Sequence, residues 1–433
     1  MDAMKVLIAT AGSHGDVLPY IALGKEMHRR GHEVVFYTNP FFAHYLKDCE
    51  FRVVLIGRVE DHLAVWSDRN GKQPFKAFQH VTTYFFSLCR PYYDAMQREL
   101  DDGDVITVGH PLLLATRFLR ETHGIPTATV HLAPVAFRSN LYPSKLLPIW
   151  ITPKMPALLK NLAWHAMDLF YFDPNVNKPF NELRTEFGLP PLQKVFKKWM
   201  SQADAVVGLF PEWFAVEHSD WAVRVNFAGF PLPVIHPEQH LPPEVEAFLQ
   251  AGEPPVLFTA GTASAMAQDF FATSIKACVR GNIRGIMLTP YTDQMPEHLP
   301  EGVVHFKFVP FHLLLPRLAA IVHHGGIGTT GLALQAGVPQ LIRPVAYDQF
   351  DNANRLVNML GVAKQLFPAA YNSRSVAYLL RKIIKDVKIR ERCRSYAQNL
   401  AHEPHAISNA CDAILRIAPE SSRAYLPPLK RVS

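Results

Sequence analysis

Charge is scarce in this chain: Asp, Glu, Lys and Arg together make up 19% of its 433 residues. The net balance of +6 is mild, and no dense Lys/Arg stripe stands out. That argues against a nucleic-acid partner and leaves anionic small ligands, or a weak encounter with an acidic membrane surface. Cysteine is sparse too. Cys49, Cys89, Cys278, Cys393 and Cys411 are odd in number and widely scattered. With no CxxC pair or zinc-ligand spacing among them, buried free thiols in a reducing compartment are expected, and no metal site. No uninterrupted apolar run approaches the ~20 residues needed to cross a bilayer. Met1 to Thr10 reads as a short apolar strand without a signal-peptide cleavage pattern. A cytoplasmic protein, at most peripheral at the inner face of the membrane, is the expectation.

What is present is length and apolar patterning. A chain of 433 residues exceeds one ordinary core, so two domains are expected. Lys5 to Thr10 is a β-rich run, and Ala11-Gly12-Ser13-His14-Gly15-Asp16 turns into a helix that stops at Gly31. With the strand Glu33 to Thr38 after it, this opening marks a doubly wound α/β domain over residues 1–228. Val105 to Val108 and Ala128 to His131 read as later buried strands. Residues 137–200 are rich in Leu, Trp, Phe and Pro. They read as amphipathic helices covering the sheet, as a greasy acceptor pocket or membrane-facing lip, or as both. The proline-dense stretch 229–243 has no periodicity and is placed as the linker. A fresh α/β pattern over 244–415 then supplies a second Rossmann-like domain, with a tail near 416–433 that can pack back on the first. Two such halves put a ligand cleft between them, at the C-terminal ends of both sets of strands.

The run His323-His324-Gly325-Gly326-Ile327-Gly328-Thr329-Thr330 lies between an apolar strand, Leu318 to Val322, and a helix over Gly331 to Ala336. Glycines at such a turn let backbone approach a ligand, and the new helix aims free N–H groups at an anion. A phosphate-bearing ligand is expected. Gly326-Ile-Gly-Thr-Thr-Gly331 also satisfies GxGxxG, but a dinucleotide site wants an acidic residue at the end of the next strand. Gln340 to Arg343 ends without one, which disfavours NAD or FAD.

These motifs carry a family resemblance. His324-Gly-Gly-Ile-Gly-Thr-Thr330, Ala336-Gly-Val-Pro339 and Asp348-Gln-Phe-Asp-Asn-Ala353 resemble the nucleotide-sugar signature of family 1 glycosyltransferases, which have the two-Rossmann GT-B fold. Gly12-Ser-His-Gly-Asp-Val-Leu-Pro19 is similar to the acceptor-side loop of their bacterial branch. Within that branch, Phe210-Pro-Glu-Trp-Phe-Ala215, Asp220-Trp221 and Gly229-Phe-Pro-Leu232 further resemble the rhamnosyltransferase catalytic chain of rhamnolipid biosynthesis. So do Gly326-Ile327-Gly328 and Leu332-Ala333-Leu334. The resemblance implies metal-independent, inverting transfer of a sugar to a lipid-like hydroxyl. The donor substrate would be dTDP-rhamnose or UDP-glucose, and no cofactor is implied.

Residue by residue, the resemblance makes Asp16 the general base that takes the acceptor proton, with His14 in the same loop as the alternative. A plain helix-capping role for Asp16 is the competing reading. Gly326, Ile327, Gly328 and Thr329, with His324 and the helix dipole, would hold the leaving diphosphate. Gly261 and Thr262 would add a second phosphate contact. Asp348 and Gln349 match positions that bind donor-sugar hydroxyls, unless they sit in a solvated loop. Phe308 would stack on the base and Val309 pair with its edge, unless Phe308 is core. Leu332 replaces the Glu by which many relatives grip a ribose, which favours a deoxyribose nucleotide.

Other polar residues have weaker claims. Asp102-Gly-Asp104 resembles a metal-binding DxD but reads as a turn before a strand. His110 and His131 end predicted strands, either as acceptor contacts or as core residues. His402-Glu-Pro-His405 reads as a loop. The rivals in other classes are a nucleotide-sugar epimerase and a dinucleotide-dependent oxidoreductase. Within the class, the rival is a UDP-glucose-dependent enzyme making glucolipids or glycosylating a small apolar molecule.

Overall fold

The computed structural model describes residues 3–66, 74–100, 104–145, 151–152, 154–193, 195, 203–215, 220–232, 239–261, 267–403 and 405–418. Two parallel sheets organise them. The first contains β1 (Lys5–Ala9), β2 (Glu33–Thr38), β3 (Arg52–Leu55), β4 (Val105–Gly109), β5 (Thr127–His131), β6 (Ala205–Gly208) and β7 (Asn226–Phe227), in the order β3-β2-β1-β4-β5-β6-β7. The second contains β8 (Val256–Phe258), β9 (Gly285–Leu288), β10 (Val303–Phe306), β11 (Ala320–His323), β12 (Gln340–Ile342) and β13 (Ala363–Gln365), in the order β10-β9-β8-β11-β12-β13. The strands are short apolar runs, such as the Val-Leu-Ile-Ala of β1 and the Ile-Val of β11, because helices cover both faces. In each sheet the order reverses once, between β1 and β4 and between β8 and β11. Those switch points open crevices at the strands' C-terminal ends. The expected two Rossmann-like domains are what is observed.

Four helices position the site. α1 (His14–Arg29) buries Val17, Tyr20, Ile21, Leu23 and Met27 against the first sheet. It ends where Gly31 takes φ 88°, the left-handed turn that glycine adopts without strain. α2 spans Ile327–Gln335, so it starts four residues before the predicted Gly331 and takes in most of the glycine run. α3 is Gln349–Asn354 and α4 is Ala406–Leu415.

The domain boundary differs from the sequence-based one. α4 does not close the second domain: its Ala410, Cys411, Ile414 and Leu415 are buried with Val6, Leu23 and Met27 of the first. Arg30 fixes it there, donating to Asp412 Oδ1 at 2.5 Å and to Ser408 Oγ at 2.7 Å. The chain therefore recrosses near 403–406 instead of after 415. Ala418 still packs in the first domain, and 419–433 lie outside the described residues. In the stretch 229–243, Phe230 is buried in a cluster that spans both domains, with Phe210 and Phe214 of the first and Phe258 and Leu334 of the second, and 233–238 are outside the described residues.

The aromatic-rich stretch after residue 137 is amphipathic, as one of its two readings expects. Phe172, Val176 and Phe180 enter the first domain's core, whereas Leu158, Leu162 and Phe170 face solvent. The five cysteines form no disulfide and four are buried. Among the described residues, no helix is long and apolar enough to cross a membrane.

Candidate active site

Four loops meet at the two switch points: those after β1 and β4 from the first domain, and those after β8 and β11 from the second. Each brings sequence-predicted residues to the cleft.

After β1, Ser13 caps α1 and Asp16 is the third helical residue, so Asp16 is not the N-cap. Its side chain turns back on the cap. The Ser13 N–H and hydroxyl both donate to Asp16 Oδ2, at 2.7 and 2.8 Å. Gly12 makes room: at φ 127°, a β-carbon there would stand 2.6 Å from Asp16 Oδ2. The other oxygen, Oδ1, faces His110 Nε2 at 3.6 Å. His110 follows β4 and stacks on Phe85 with ring centroids 5.1 Å apart. Its Nδ1 accepts the Leu112 N–H at 3.2 Å, so a neutral ring carries its proton on Nε2, toward the carboxylate. Burial works to raise the Asp16 pKa. The proximity of His110 and the bonds from Ser13 outweigh it, and the carboxyl is held below its ordinary value. Asp16 is thus an ionised proton acceptor at neutral pH.

His14, the alternative base, is the first residue of α1 and half-buried in an aromatic wall. Phe41, Phe42 and Tyr45 meet it edge-on at 5.4, 5.4 and 5.7 Å. Burial first, then His44, lowers its pKa. His131 is buried, which pushes it down to about 3, and its ring is tilted against Phe137 with centroids 4.6 Å apart.

On the second domain, Gly326 caps α2 and the first intrahelical bond runs from the Thr330 N–H to the Gly326 carbonyl at 3.0 Å. The N–H groups of Ile327, Gly328 and Thr329 are thereby left for a ligand. The glycines have separate jobs. Gly325, at φ 92°, passes against Ile342 and the Gln349 backbone, and a side chain at Gly261 or Gly326 would strike the His324 ring. A β-carbon at Gly328 meets nothing within 4 Å, so that residue faces open cleft. Gly331, the last glycine of the apparent GxGxxG, lies 3.2 Å (measured from a β-carbon there) from Phe230 and serves packing. His324 is wedged in this turn with its Nδ1 unpartnered, and burial lowers its pKa to about 4. Without a ligand it is therefore neutral at pH 7, with one ring N–H to offer. Thr262 lies outside the described residues, as do Asp102 and Gly103.

Asp348 and Gln349 are not in a free loop: Asp348 is the N-cap of α3 and Gln349 its first residue. Gln349 Oε1 accepts the N–H groups of Val345 and Ala346 at 2.8 and 3.0 Å, leaving its amide nitrogen as donor. Asp348 Oδ2 accepts from Asn352 Nδ2 at 2.7 Å, and the same nitrogen reaches the Gly325 carbonyl at 2.9 Å. Burial first, and then the charge of Asp16, raise Asp348 to about 7 against the Asn352 bond. The carboxylates of the two domains therefore lie near enough for one charge to act on the other. Phe308 is 76% exposed, so its ring is not core, while Val309 is buried. Leu332 packs beside the cluster that contains Val309.

Comparison with known proteins matches this geometry from both sides. The glycosyltransferase family 28 N-terminal domain matches residues 6–141, and the erythromycin biosynthesis protein CIII-like C-terminal domain matches 286–414. The chain is a glycosyltransferase of the GT-B fold. It is 26% identical to the O-mycaminosyltylonolide 6-deoxyallosyltransferase of Streptomyces fradiae, over 98% of this chain and 100% of the relative. It is 24% identical to the sterol 3-beta-glucosyltransferase of Candida albicans over 94% of this chain, but spans only 27% of that relative. The solved structure of the calicheamicin glycosyltransferase CalG4 superposes with a TM-score of 0.71, at 22% identity, covering 97% of this chain and 100% of the other.

In this glycosyltransferase several residues of the site escape sequence reasoning. Asn352 joins the glycine turn to Asp348; it stands in the signature Asp348 to Ala353, but no role is assigned to it there. Asp351 and Arg355 are fully buried and join the domains. Asp351 accepts the Lys145 N–H at 2.8 Å and Arg355 Nε at 2.6 Å, and Arg355 Nη1 donates to the Ala215 carbonyl at 2.6 Å. Such a pair is costly to break from one side, since it leaves a buried charge alone. His402 is not in a loop as expected but ends the helix Val387–His402, its Nδ1 2.7 Å from the Gln398 carbonyl; Glu403 serves the recrossing, accepting from Trp213 Nε1 at 2.5 Å. Among the described residues no cluster suited to a metal is present.

Proposed function

We propose that the enzyme transfers a sugar with inversion from a nucleotide diphosphate donor to the hydroxyl of a lipid-like acceptor, with rhamnose from dTDP-rhamnose as the favoured donor sugar. The observation that carries the reading is the contrast at the two switch points: Asp16, held by Ser13 and facing His110, on one side, and on the other the open N-terminus of α2 beside Asp348, which is held by Asn352. The acceptor oxygen attacks the anomeric carbon while Asp16 takes its proton. The bond from that carbon to the phosphate oxygen breaks, and the diphosphate leaves toward the N–H groups of Ile327, Gly328 and Thr329 at the positive end of α2. Asp348 and the Gln349 amide nitrogen orient the sugar hydroxyls. Phe308 offers its exposed face to the base. Leu332, apolar where a ribose would want an acceptor, supports a deoxyribose nucleotide.

Relatives named for transfer of a deoxyhexose and for glucosylation of a sterol support a deoxy sugar and an apolar hydroxyl acceptor respectively. The sterol enzyme also supports a second reading, UDP-glucose as donor for a glucolipid. Thermal shift with UDP, dTDP and NAD⁺ in parallel tests both, because a ligand of the folded state raises its melting temperature. The proposal expects dTDP to stabilise most and NAD⁺ not at all. Transfer from dTDP-rhamnose to a hydroxyalkanoyloxy-alkanoate then tests the acceptor. Stronger stabilisation by UDP moves the donor to UDP-glucose, and stabilisation by NAD⁺ alone overturns the reading.

A further inference from the structure

α3 and the wide turn that continues it, Arg355–Met359, follow the C-terminal end of β12. In that turn the Leu360 N–H reaches five residues back, to the Arg355 carbonyl at 2.9 Å, which is the π-type spacing. The segment presents two faces. Asp348, Gln349 and Asn352 share the one next to the glycine turn, where Asn352 bonds both the Asp348 carboxylate and the Gly325 carbonyl. Asp351, Asn354 and Arg355 lie about a third of a turn further round the helix and meet the first domain.

Their contacts come from two separate segments of that domain. In the loop after β5, the Lys145 N–H donates to Asp351 Oδ1 at 2.8 Å and the Tyr142 hydroxyl accepts from Asn354 Nδ2 at 2.7 Å. In the segment after β6, the Phe214 and Ala215 carbonyls accept from Arg355 Nη1 at 3.1 and 2.6 Å. Arg355 Nε and Asp351 Oδ2, 2.6 Å apart, tie the two sets together. The guanidinium also lies over the Tyr142 ring, 5.3 Å from its centroid. Asp351 is 0% exposed and Arg355 2%.

A buried ion pair adds little net stability over apolar packing of the same volume. Its directional bonds, and above all the planar fork of an arginine, hold the groups around it in one arrangement. Here that arrangement is the register of the two domains. β5 and β6 belong to the sheet whose β1 leads into the Asp16 loop, and β12 to the sheet whose β11 leads into the glycine turn. The helix that begins with Asp348 and Gln349 is thus fastened by its other face to the sheet that carries Asp16.

We propose that Asp351 and Arg355 are positioning residues for the transfer step: through α3 they hold Asp348, Gln349 and the sugar these two orient at a working distance from Asp16. The role rests on the reading of Asp16 as base and of Asp348 and Gln349 as sugar contacts. Misplacing reacting groups by about 1 Å costs on the order of 10²-fold in rate. The effect therefore belongs in kcat, while the nucleotide, held at the glycine turn of the second domain, should bind as before.

The test compares transfer with hydrolysis of the donor. It uses the full-length protein, a hydroxyalkanoyloxy-alkanoate as acceptor, and whichever of dTDP-rhamnose and UDP-glucose the parent accepts. Hydrolysis breaks the same bond from anomeric carbon to phosphate oxygen, but its nucleophile is a mobile water that finds its own place. Asp351→Asn/Arg355→Met removes both charges together, so that no buried charge is left alone. Its kcat for transfer should fall on the order of 10²-fold. The KM for donor should stay within about twofold of the parent's, and hydrolysis and the stabilisation by nucleotide should be nearly unchanged. Tyr142→Phe loses only the hydroxyl that Asn354 meets and should lower transfer about threefold in the same pattern.

A merely structural pair would lower transfer and hydrolysis together, in proportion to the protein left folded. An unchanged ratio of transfer to hydrolysis in the double variant therefore overturns the proposal, and so does a loss confined to KM. Should the double variant not fold, the ratio in Tyr142→Phe decides: a lowered ratio supports the positioning role and an unchanged one overturns it. Parent protein that transfers no sugar from either donor overturns the proposed function itself, and the positioning role with it.

Discussion

The two glycine-bearing turns, after β1 and after β11, occupy the same place in the same topology. Each follows the strand beside a switch point, each carries a glycine at positive φ, Gly12 and Gly325, and each opens a helix. They differ in what meets the helix N-terminus. At α1 the chain supplies its own anion, because Asp16 Oδ2 already accepts the Ser13 N–H. At α2 no carboxylate fills the first turn. The same electrostatic feature is self-satisfied in one domain and left open in the other. In the proposed reaction, that difference puts the base on one side of the cleft and the leaving-group site on the other.

The sharpest way to break that comparison is Asp16→Asn. The amide still accepts from Ser13, so the fold stands, but it cannot take a proton. Transfer should fall by roughly 10²–10⁴ while dTDP still raises the melting temperature. Substantial residual turnover would move the base to His14. Gly328→Ala probes the other turn, since a β-carbon there meets no protein atom. The unliganded melting temperature should hold and nucleotide affinity should drop on the order of tenfold, as a charged hydrogen bond is crowded. Unchanged affinity would remove the phosphate from this turn.

Asp348 links the two sides through pH. Its folded pKa of about 7 lies above the ordinary 3.8, so the folded state keeps a proton that the unfolded chain sheds. The stability this contributes is full below the unfolded value and is lost as pH rises through about 7. Asp348→Asn should therefore be more stable than the parent at pH 8, by roughly 1–2 kcal/mol given the solvent reaching the cleft. The gap should close toward pH 5 in denaturant melts at each pH. A pH-independent difference would mean that Asp348 is not a buried charge. The smallest effect expected is a few-fold shift toward UDP over dTDP in Leu332→Glu, read by titration of each nucleotide. An unchanged ratio would remove the deoxyribose argument.

The sequence alone determined the α/β class and two Rossmann-like halves, and it singled out the glycine turn after β11 and the Asp16 loop. These are local: short buried strands are apolar throughout, and glycines at a strand-to-helix turn mark backbone that must come close to something. Tertiary structure decided the rest. That α4 belongs to the first sheet follows from Arg30 and a buried face hundreds of residues away, which no local pattern encodes. The same holds for the Asp351–Arg355 junction, whose partners Lys145 and Ala215 are distant in sequence. The raised pKa of Asp348 was equally hidden, because it arises from burial and from a carboxylate on the other domain. Burial, charge coupling and the facing of two switch points are properties of space between segments, and only the folded chain brings those segments together.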